Sequence, residues 1–557
     1  MSSKKMKEYI VTLKSKDDLD CFYEDMEHQC NLRCVPGRKV ECVNKRPVSR
    51  NTHYLLSDAE AKKLCEDERV LSVELPMKDQ GIECYPHFVQ EEIGAWAKNN
   101  QLNNNHRNWG LLRTERGEQI SNWGSDGSPL QSGRIFVPKE GRKVDLIMVD
   151  GHADPDHPEF KENSDGTGQS RILNFNWLQY NPVAPNPIAS NTYVYPPYTG
   201  RNNNHGAHVF GTLAGNRNGW ARSARLYHMS PYADNPNQGF PQVLWDYIRI
   251  FHAVKLKDDD LKVKRPTLTN HSYGVRLGNP SNNFEPYTLQ ELVDNITEIS
   301  FRGTTLLPPY TSQILKDCGI VPMNMNDVNP VVVPIRNPST DADIEDAINE
   351  GIIVVSSAGN SSFKIDVEGG IDYDNSFIIN GFRRFYNRGS TPSAVKGVIC
   401  VGSISTAVDE RKASYSNCGP RVDIYAPGDF IQSAVNEQGP RSVQDGRDSS
   451  FFIEKRFGTS MAGPQVCGVL AGVLEVYPEL NQAGVLEYLN NKGSKEGQIR
   501  DTTDSFQDII SLQGSPNKYL YYYPERRETG QMAPKKDFFV RPSTGILYPR
   551  TKKRRRK

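Results

Sequence analysis

The sequence has no long apolar run: no stretch approaches the about 18 residues that a membrane-spanning helix needs, so no membrane span is expected. It also lacks an excess of either charge. Lys plus Arg and Asp plus Glu both number 67, which argues against a face dedicated to nucleic acid. The lysine-rich start, Met1–Tyr9, runs into alternating strand-like residues rather than the apolar core and small-residue cleavage site of a secretory leader, so an intracellular location is favoured over classical secretion. Ten cysteines form no CxxC pair and no Cys/His cluster of metal-ligand spacing. Reduced thiols are therefore expected, with Cys467 a small buried hydrophobe rather than a nucleophile. No repeat of solenoid period is present.

What remains is a chain of 557 residues, 37% hydrophobic and 24% charged, with 36 prolines. That is the profile of a loop-rich globular protein too long for one core. One local charge run stands out, the wholly basic Lys552–Lys557, which reads either as a solvated terminus or as a contact for nucleic acid or an acidic partner.

Residues 1–77 read as a small α+β domain: strand Tyr9–Leu13, helix Asp17–Glu27, a charged linker, strand Asn51–Leu56, helix Ser57–Asp67 and strand Val70–Glu74. Ser57 with Glu60 three residues on forms a capping-box pattern. Residues 78–106 read as a linker, and little periodicity survives up to 142. From there apolar runs of buried-strand type recur at Val144–Val149, Ala224–Met229, Leu268–Ser272, Ile352–Ser356 and Val398–Gly402, which predicts an α/β fold with a mainly parallel sheet over 107–514. Insertions are expected near 161–200, 275–340 and 361–394, the first and last as long irregular connections. Residues 515–557 form a C-terminal extension with no assigned structure.

Three segments carry chemistry. Asp150 ends the strand Val144–Val149, at the carboxyl edge where parallel sheets place their sites, though an aspartate there is also a common turn or cap residue. In NNNHGAHVFGTLAGN, Asn204 or a neighbour can cap a helix whose first turn carries His205; His208 at i+3 leaves a metal pair open beside a general base. In FGTSMAGPQVCGVLAG, Ser460 opens an apolar helix with Pro464 near its start. A serine there is a cap or, flanked by small residues and free N–H groups that favour an oxyanion, a nucleophile.

Taken together, VDLIMVDGHADPDHPEF, HGAHVFGTLAG and GTSMAGP resemble the subtilisin-like serine proteases, whose triad runs Asp, His, Ser along the chain. NHSYG, VVSSAGN and the stretch 401–428 fall in that family's order as well. The resemblance implies a three-layer α/β fold, a serine endopeptidase with Asp150, His205 and Ser460 as its triad, and Asn360 in the oxyanion hole. His208 is then structural. Ser272, Tyr273 and Gly274 would pair with substrate backbone, and Ser357, Ala358 and Gly359 would wall the primary pocket. Residues 1–77 look like the family's inhibitory propeptide, implying that the chain processes its own N-terminal segment somewhere in 76–106.

The sequence departs from the family pattern in places. Gly151 and His152 follow Asp150 where a small hydroxyl residue and then glycine are usual, so His152 is expected to crowd or perturb the aspartate, and Phe210 stands where a smaller residue is common. The stretch GNRNGWARSA is shorter than the calcium-binding version of many members, although Glu159 matches an acidic calcium ligand; no cofactor is required by the chemistry. The insertions and basic tail are similar to phage- and virus-encoded members, which adds a virion to the expected locations. The alternative reading is a catalytically silent subtilase fold serving as a structural or binding component of a particle.

Overall fold

A computed structural model describes residues 6–27, 38–46, 48–86, 109–119, 137, 139–173, 175, 177, 204–229, 244–405, 410–501, 508–522, 538–540 and 547–549. The Asn-rich stretch 102–107, most of the insertion near 161–200 and Lys552–Lys557 lie outside these residues.

The centre of the chain is a nine-stranded sheet. In spatial order its strands are Ser494–Glu496, Lys518–Leu520, Ile424–Pro427, Ile399–Ile404, Ile353–Ser357, Thr267–His271, Asp145–Val149, Arg225–Met229 and Ile172–Leu173. Every pairing is parallel except that of the Ser494–Glu496 edge. Asp145–Val149 is buried along its whole length, because helices cover both faces and both sets of alternating side chains face apolar neighbours. The five apolar runs of the sequence are five of these strands, displaced by one or two residues at their ends.

One face is covered by the helices Trp109–Arg116, His205–Ala214, Thr459–Val476 and Gln482–Asn491, whose apolar residues share a core with Leu146, Met148, Val355 and Val401. Leu244–Val254 and Pro338–Asn349 lie on the other, around Ile147, Val149 and Val354. The result is three layers, helix–sheet–helix. Thr459–Val476 is buried from Thr459 to Leu474 and almost wholly apolar or small there, Gln465 being the exception that donates to Pro427 O. It sits close to its neighbours because Gly468 has no side chain: a Cβ there would lie 2.9 Å from the Leu213 carbonyl of the adjacent helix. Among the described residues no helix is long and apolar enough to cross a membrane.

The N-terminal unit has its own four-stranded antiparallel sheet, ordered Cys42–Lys45, Asn51–Leu56, Lys7–Leu13, Val70–Glu74. The helices Leu19–Glu27 and Asp58–Leu64 cover it, the second opened by the Ser57–Glu60 capping box that the sequence predicts. Val11, Phe22, Met26, Tyr54 and Leu64 fill its core, each worth about 1.5–3 kcal/mol of apolar burial. The unit docks on helices Leu244–Val254 and Pro338–Asn349 through charge: Arg46, only 3% exposed, pairs with both Asp246 and Asp343. Arg50 pairs with Asp346, and Glu74 accepts the backbone N–H of Ser339 at the helix start, with burial pushing its carboxyl up to about 7.

Several expectations need correction. Cys42–Lys45, read as charged linker, is an edge strand. The linker 78–106 contains a strand, Ile82–Pro86, and the aperiodic stretch that follows contains the helix Trp109–Arg116. The connection 361–394 is not irregular. Its strands Ser376–Ile379 and Phe382–Phe385 join Ile296–Phe301 and Thr304–Leu306 of the insertion 275–340 in one antiparallel sheet with its own core, including Leu292, Ile299, Leu315 and Phe377. The central unit also runs past 514, since Lys518–Leu520 joins the main sheet and Tyr522 stacks on Trp220 at 5.2 Å.

Candidate active site

Asp150 follows the last residue of its strand, and its backbone N–H still donates to Met229 on the neighbouring strand, so its position is set by the sheet. Its carboxylate oxygen Oδ1 accepts from Gly151 N at 2.6 Å and lies 2.7 Å from His205 Nδ1. A carboxylate only accepts, so the proton sits on Nδ1 and the neutral ring keeps Nε2 as its basic nitrogen. Asp150 and His205 are 1% and 2% exposed.

His205 is the first residue of its helix. Asn204 occupies the cap position but does not cap; its side chain instead exchanges hydrogen bonds with the backbone of Glu437. Gly206 is required by contact, because a Cβ there would fall 1.8 Å from the Gly151 carbonyl oxygen. The histidine helix therefore rests directly on the peptide that follows Asp150. The metal-pair alternative fails on geometry: His208 turns away and shares Nε2 between the carbonyls of Ile431 and Glu454, at 2.8 and 3.1 Å. Burial drives its pKa well below the usual histidine value, so it stays neutral.

Ser460 is fully buried at the start of Thr459–Val476. Pro464 is the sixth residue of that helix, inside it rather than at its edge. It has no N–H to return to the carbonyl four residues back, which belongs to Ser460. Ser272 Oγ fills the gap, donating to that carbonyl at 3.2 Å, and Ser460 Oγ donates to Ser272 O at 3.1 Å.

Asn360 follows the strand Ile353–Ser357 and the turn at Gly359, whose φ of +106° suits glycine. Its Oδ1 accepts from both N and Oγ1 of Thr459, each at 2.8 Å. Two donors fix which end of the amide is oxygen, and the buried Nδ2 makes no hydrogen bond among the described residues. Asn417 braces this loop, donating to Ala358 O and accepting from Ser361 N and Phe363 N. Ala358 is tied to Val401, and Gly359 to Thr459 Oγ1.

Tyr273 and Gly274 begin the strand Tyr273–Leu277, which is paired antiparallel with Ile82–Pro86, Tyr273 opposite Pro86 and Gly274 opposite Tyr85. The Tyr273 hydroxyl turns inward to His271 Nδ1, so this residue offers the cleft its backbone only.

Glu159 does not fit a calcium ligand. Its carboxylate accepts N–H groups of Arg217 and Asn218 and pairs with Arg447, a guanidinium that also binds Asp445. A cation site needs oxygen donors, and this carboxylate is spent on nitrogen. Among the described residues no group of His, Cys, Asp or Glu is arranged to hold a metal ion. Phe210 is core, packed on Phe160 at 5.4 Å, and does not intrude on the cleft. His152 does not displace the Asp150 carboxylate, which keeps Gly151 N and His205 as partners; its ring meets His228 edge-on at 6.1 Å, and burial lowers its pKa.

Sequence reasoning gave no role to Thr459, Asn417 or His228. Thr459 lies inside the serine motif and could have been found there. Asn417 and His228 act on backbone groups distant in sequence and leave no local pattern.

Residues 141–508 match the Peptidase_S8 model, described as the subtilase family. A segment of 91 residues is 41% identical to subtilisin-like protease 3 of Trichophyton equinum, covering 16% of this chain and 18% of that protein. A longer segment, 172 residues, is 29% identical to subtilisin-like protease 1 of Pseudogymnoascus destructans, covering 31% and 34%. The matched segments thus span about a third or less of these relatives' own length. Two solved structures are similar: a cold adapted subtilisin-like serine proteinase, with TM-score 0.42, 18% identity and coverage of 75% of this chain and all of that one, and fervidolysin from Fervidobacterium pennivorans, with TM-score 0.47, 14% identity and coverage of 94% and 61%. With the family model matched over more than half its length, and a helix–sheet–helix layering to go with it, the chain belongs to the subtilase family.

Proposed function

We propose that this subtilase is a serine endopeptidase that hydrolyses polypeptides through an acyl-enzyme. Ser460 Oγ attacks the scissile carbonyl, His205 Nε2 takes its proton and returns it to the leaving amine, and Asp150 holds the imidazole and stabilises its cation. Asn360 Nδ2 and the Ser460 backbone N–H receive the tetrahedral oxyanion. The observation that carries this reading is the Asn360 amide: it is pinned through oxygen by the residue next to Ser460, which leaves a buried N–H donor beside the nucleophile. A fold kept only for binding has no use for such a donor.

The N-terminal unit acts as an inhibitory segment that the enzyme removes from itself. The pairing of Ile82–Pro86 with Tyr273–Leu277 supports this, because it adds a strand of the chain to the edge where Ser272, Tyr273 and Gly274 would receive substrate. The near-complete burial of Asp150, His205 and Ser460 also agrees with a latent state.

The full chain and its Ser460→Ala variant decide the matter when followed by intact mass, casein cleavage and fluorophosphonate labelling. The wild-type chain is expected to trim its N-terminus, cleave casein and take up label, and the variant to do none of these. Equal behaviour of the two would refute the peptidase reading.

A further inference from the structure

His228 belongs to the strand Arg225–Met229, next to the aspartate strand, with His228 opposite Met148. It is 4% exposed, and its Nε2 lies 3.1 Å from Asp150 O and 2.9 Å from Gly151 O. Both partners are carbonyls, so Nε2 carries the proton and donates to two consecutive peptide groups. Burial, reinforced by the neighbouring His152, lowers its pKa to about 4, which keeps the ring neutral at ordinary pH.

Those peptide groups flank the catalytic aspartate. Gly151 N donates to Asp150 Oδ1, the oxygen that also binds His205, and the Gly151 carbonyl is the surface on which Gly206 rests. Gly206 follows His205 directly. A shift of the Gly151 carbonyl therefore moves both ends of the Asp150–His205 hydrogen bond at once.

We propose that His228 is a positioning residue for the Asp150–His205 pair, acting through the Asp150 and Gly151 carbonyls. The inference rests on the peptidase reading for its kinetic consequence but not for its structural one. It also gives a reason for the chain to carry Gly151 and His152 after the aspartate: the turn is clamped from the neighbouring strand by an imidazole rather than from within.

The test compares His228→Met, which keeps volume but removes the donor, with His228→Gln, whose Nε2 can reach the same carbonyls. On a peptide substrate, His228→Met is expected to lower kcat about 10- to 100-fold with KM within about two-fold of wild type, and His228→Gln to recover most of the loss. A second measurement needs no activity: in 15N-histidine-labelled full-length Ser460→Ala protein, the low-field His205 Nδ1–H resonance should shift or broaden with His228→Met and return with His228→Gln. The proposal is overturned if His228→Met leaves both kcat and the resonance unchanged, or if His228→Gln falls as far as His228→Met in both. If the wild-type chain proves inactive, the peptidase reading fails alone, and the resonance still decides the role of His228.

Discussion

The hydroxyls of Ser272 and Ser460 each donate to the other residue's carbonyl, at 3.2 and 3.1 Å. Pro464 has no N–H to offer the Ser460 carbonyl four residues back, and the Ser272 hydroxyl donates there. Ser272→Ala should cost about 1 kcal/mol by removing that hydrogen bond. In a Pro464→Ala background the backbone N–H returns and the cost should shrink. A double-mutant cycle from urea unfolding, in chains that also carry Ser460→Ala, measures the coupling; strictly additive losses would show that the proline and the hydroxyl are unrelated.

Asn360→Leu removes the oriented Nδ2 donor while leaving Asp150, His205 and Ser460 in place. The expected result is a fall in kcat of about 10²–10³ with little change in KM. A matching rise in KM at unchanged kcat would assign Asn360 to ground-state binding instead.

Arg46 bridges Asp246 and Asp343 at the junction between the N-terminal unit and the central domain, and both Arg46 and Asp343 are nearly inaccessible. Arg46→Leu leaves the Asp246 and Asp343 carboxylates without their shared cation and should destabilise by about 3–5 kcal/mol, whereas Arg46→Leu with Asp246→Asn and Asp343→Asn should be milder. Chemical denaturation in the Ser460→Ala background tests this; equal losses in the single and triple variants would place the junction's stability elsewhere.

Processing should expose a new N-terminus within the first few residues after Pro86. The register Gly274–Tyr85, Tyr273–Pro86 runs toward Ser272, which is hydrogen-bonded to Ser460. N-terminal sequencing of the trimmed chain reads the site directly, and a terminus before Ile82 would contradict the register.

Acid should weaken the fold through its buried histidines, partly offset by Glu74 and Asp429, whose carboxyls burial pushes up to about 7 and which favour the folded chain as they take up protons. Burial lowers His228 and His252 to about 4 and His271 to about 3. Each folded value lies below the unfolded one of about 6.5, so the unfolded chain binds more protons across this window. The neutral-ring contribution is complete above about pH 6.5 and is lost as pH falls toward 4, at roughly 1 kcal/mol per pH unit for each histidine. Urea midpoints at pH 7.5 and pH 5 should differ accordingly; a flat profile would mean that these rings already titrate freely in the folded chain.

Elements whose partners are apolar layers were legible in the sequence. Asp145–Val149 and Ile353–Ser357 show as uninterrupted apolar runs because helices bury both faces, and Ser57–Glu60 shows as a local capping pattern. Elements defined by a distant partner were not. Ile296–Phe301 pairs with Ser376–Ile379 from the other insertion, and Lys518–Leu520 is three residues long, so neither carries enough periodicity of its own. At the site, short motifs that resemble a family pointed to Asp150 and His205, which lie 2.7 Å apart, and to Ser460 and Asn360, which Thr459 links. The clamps made by Asn417 and His228 were not legible, since a side chain bonding to a remote backbone carbonyl leaves no spacing to detect.

The docking of the N-terminal unit also fixes an order of events during synthesis. Its last strand ends at Glu74, but the helix that receives Arg46 and Arg50 is completed only at Asn349. At the usual 5–20 residues per second the ribosome needs roughly 15–55 s to make the intervening chain. Until then the unit must stand on its own small core, with Arg46 hydrated while the helices that carry its partners are still being made. The charge that becomes buried in the finished protein therefore begins as a solubilising group on a nascent domain.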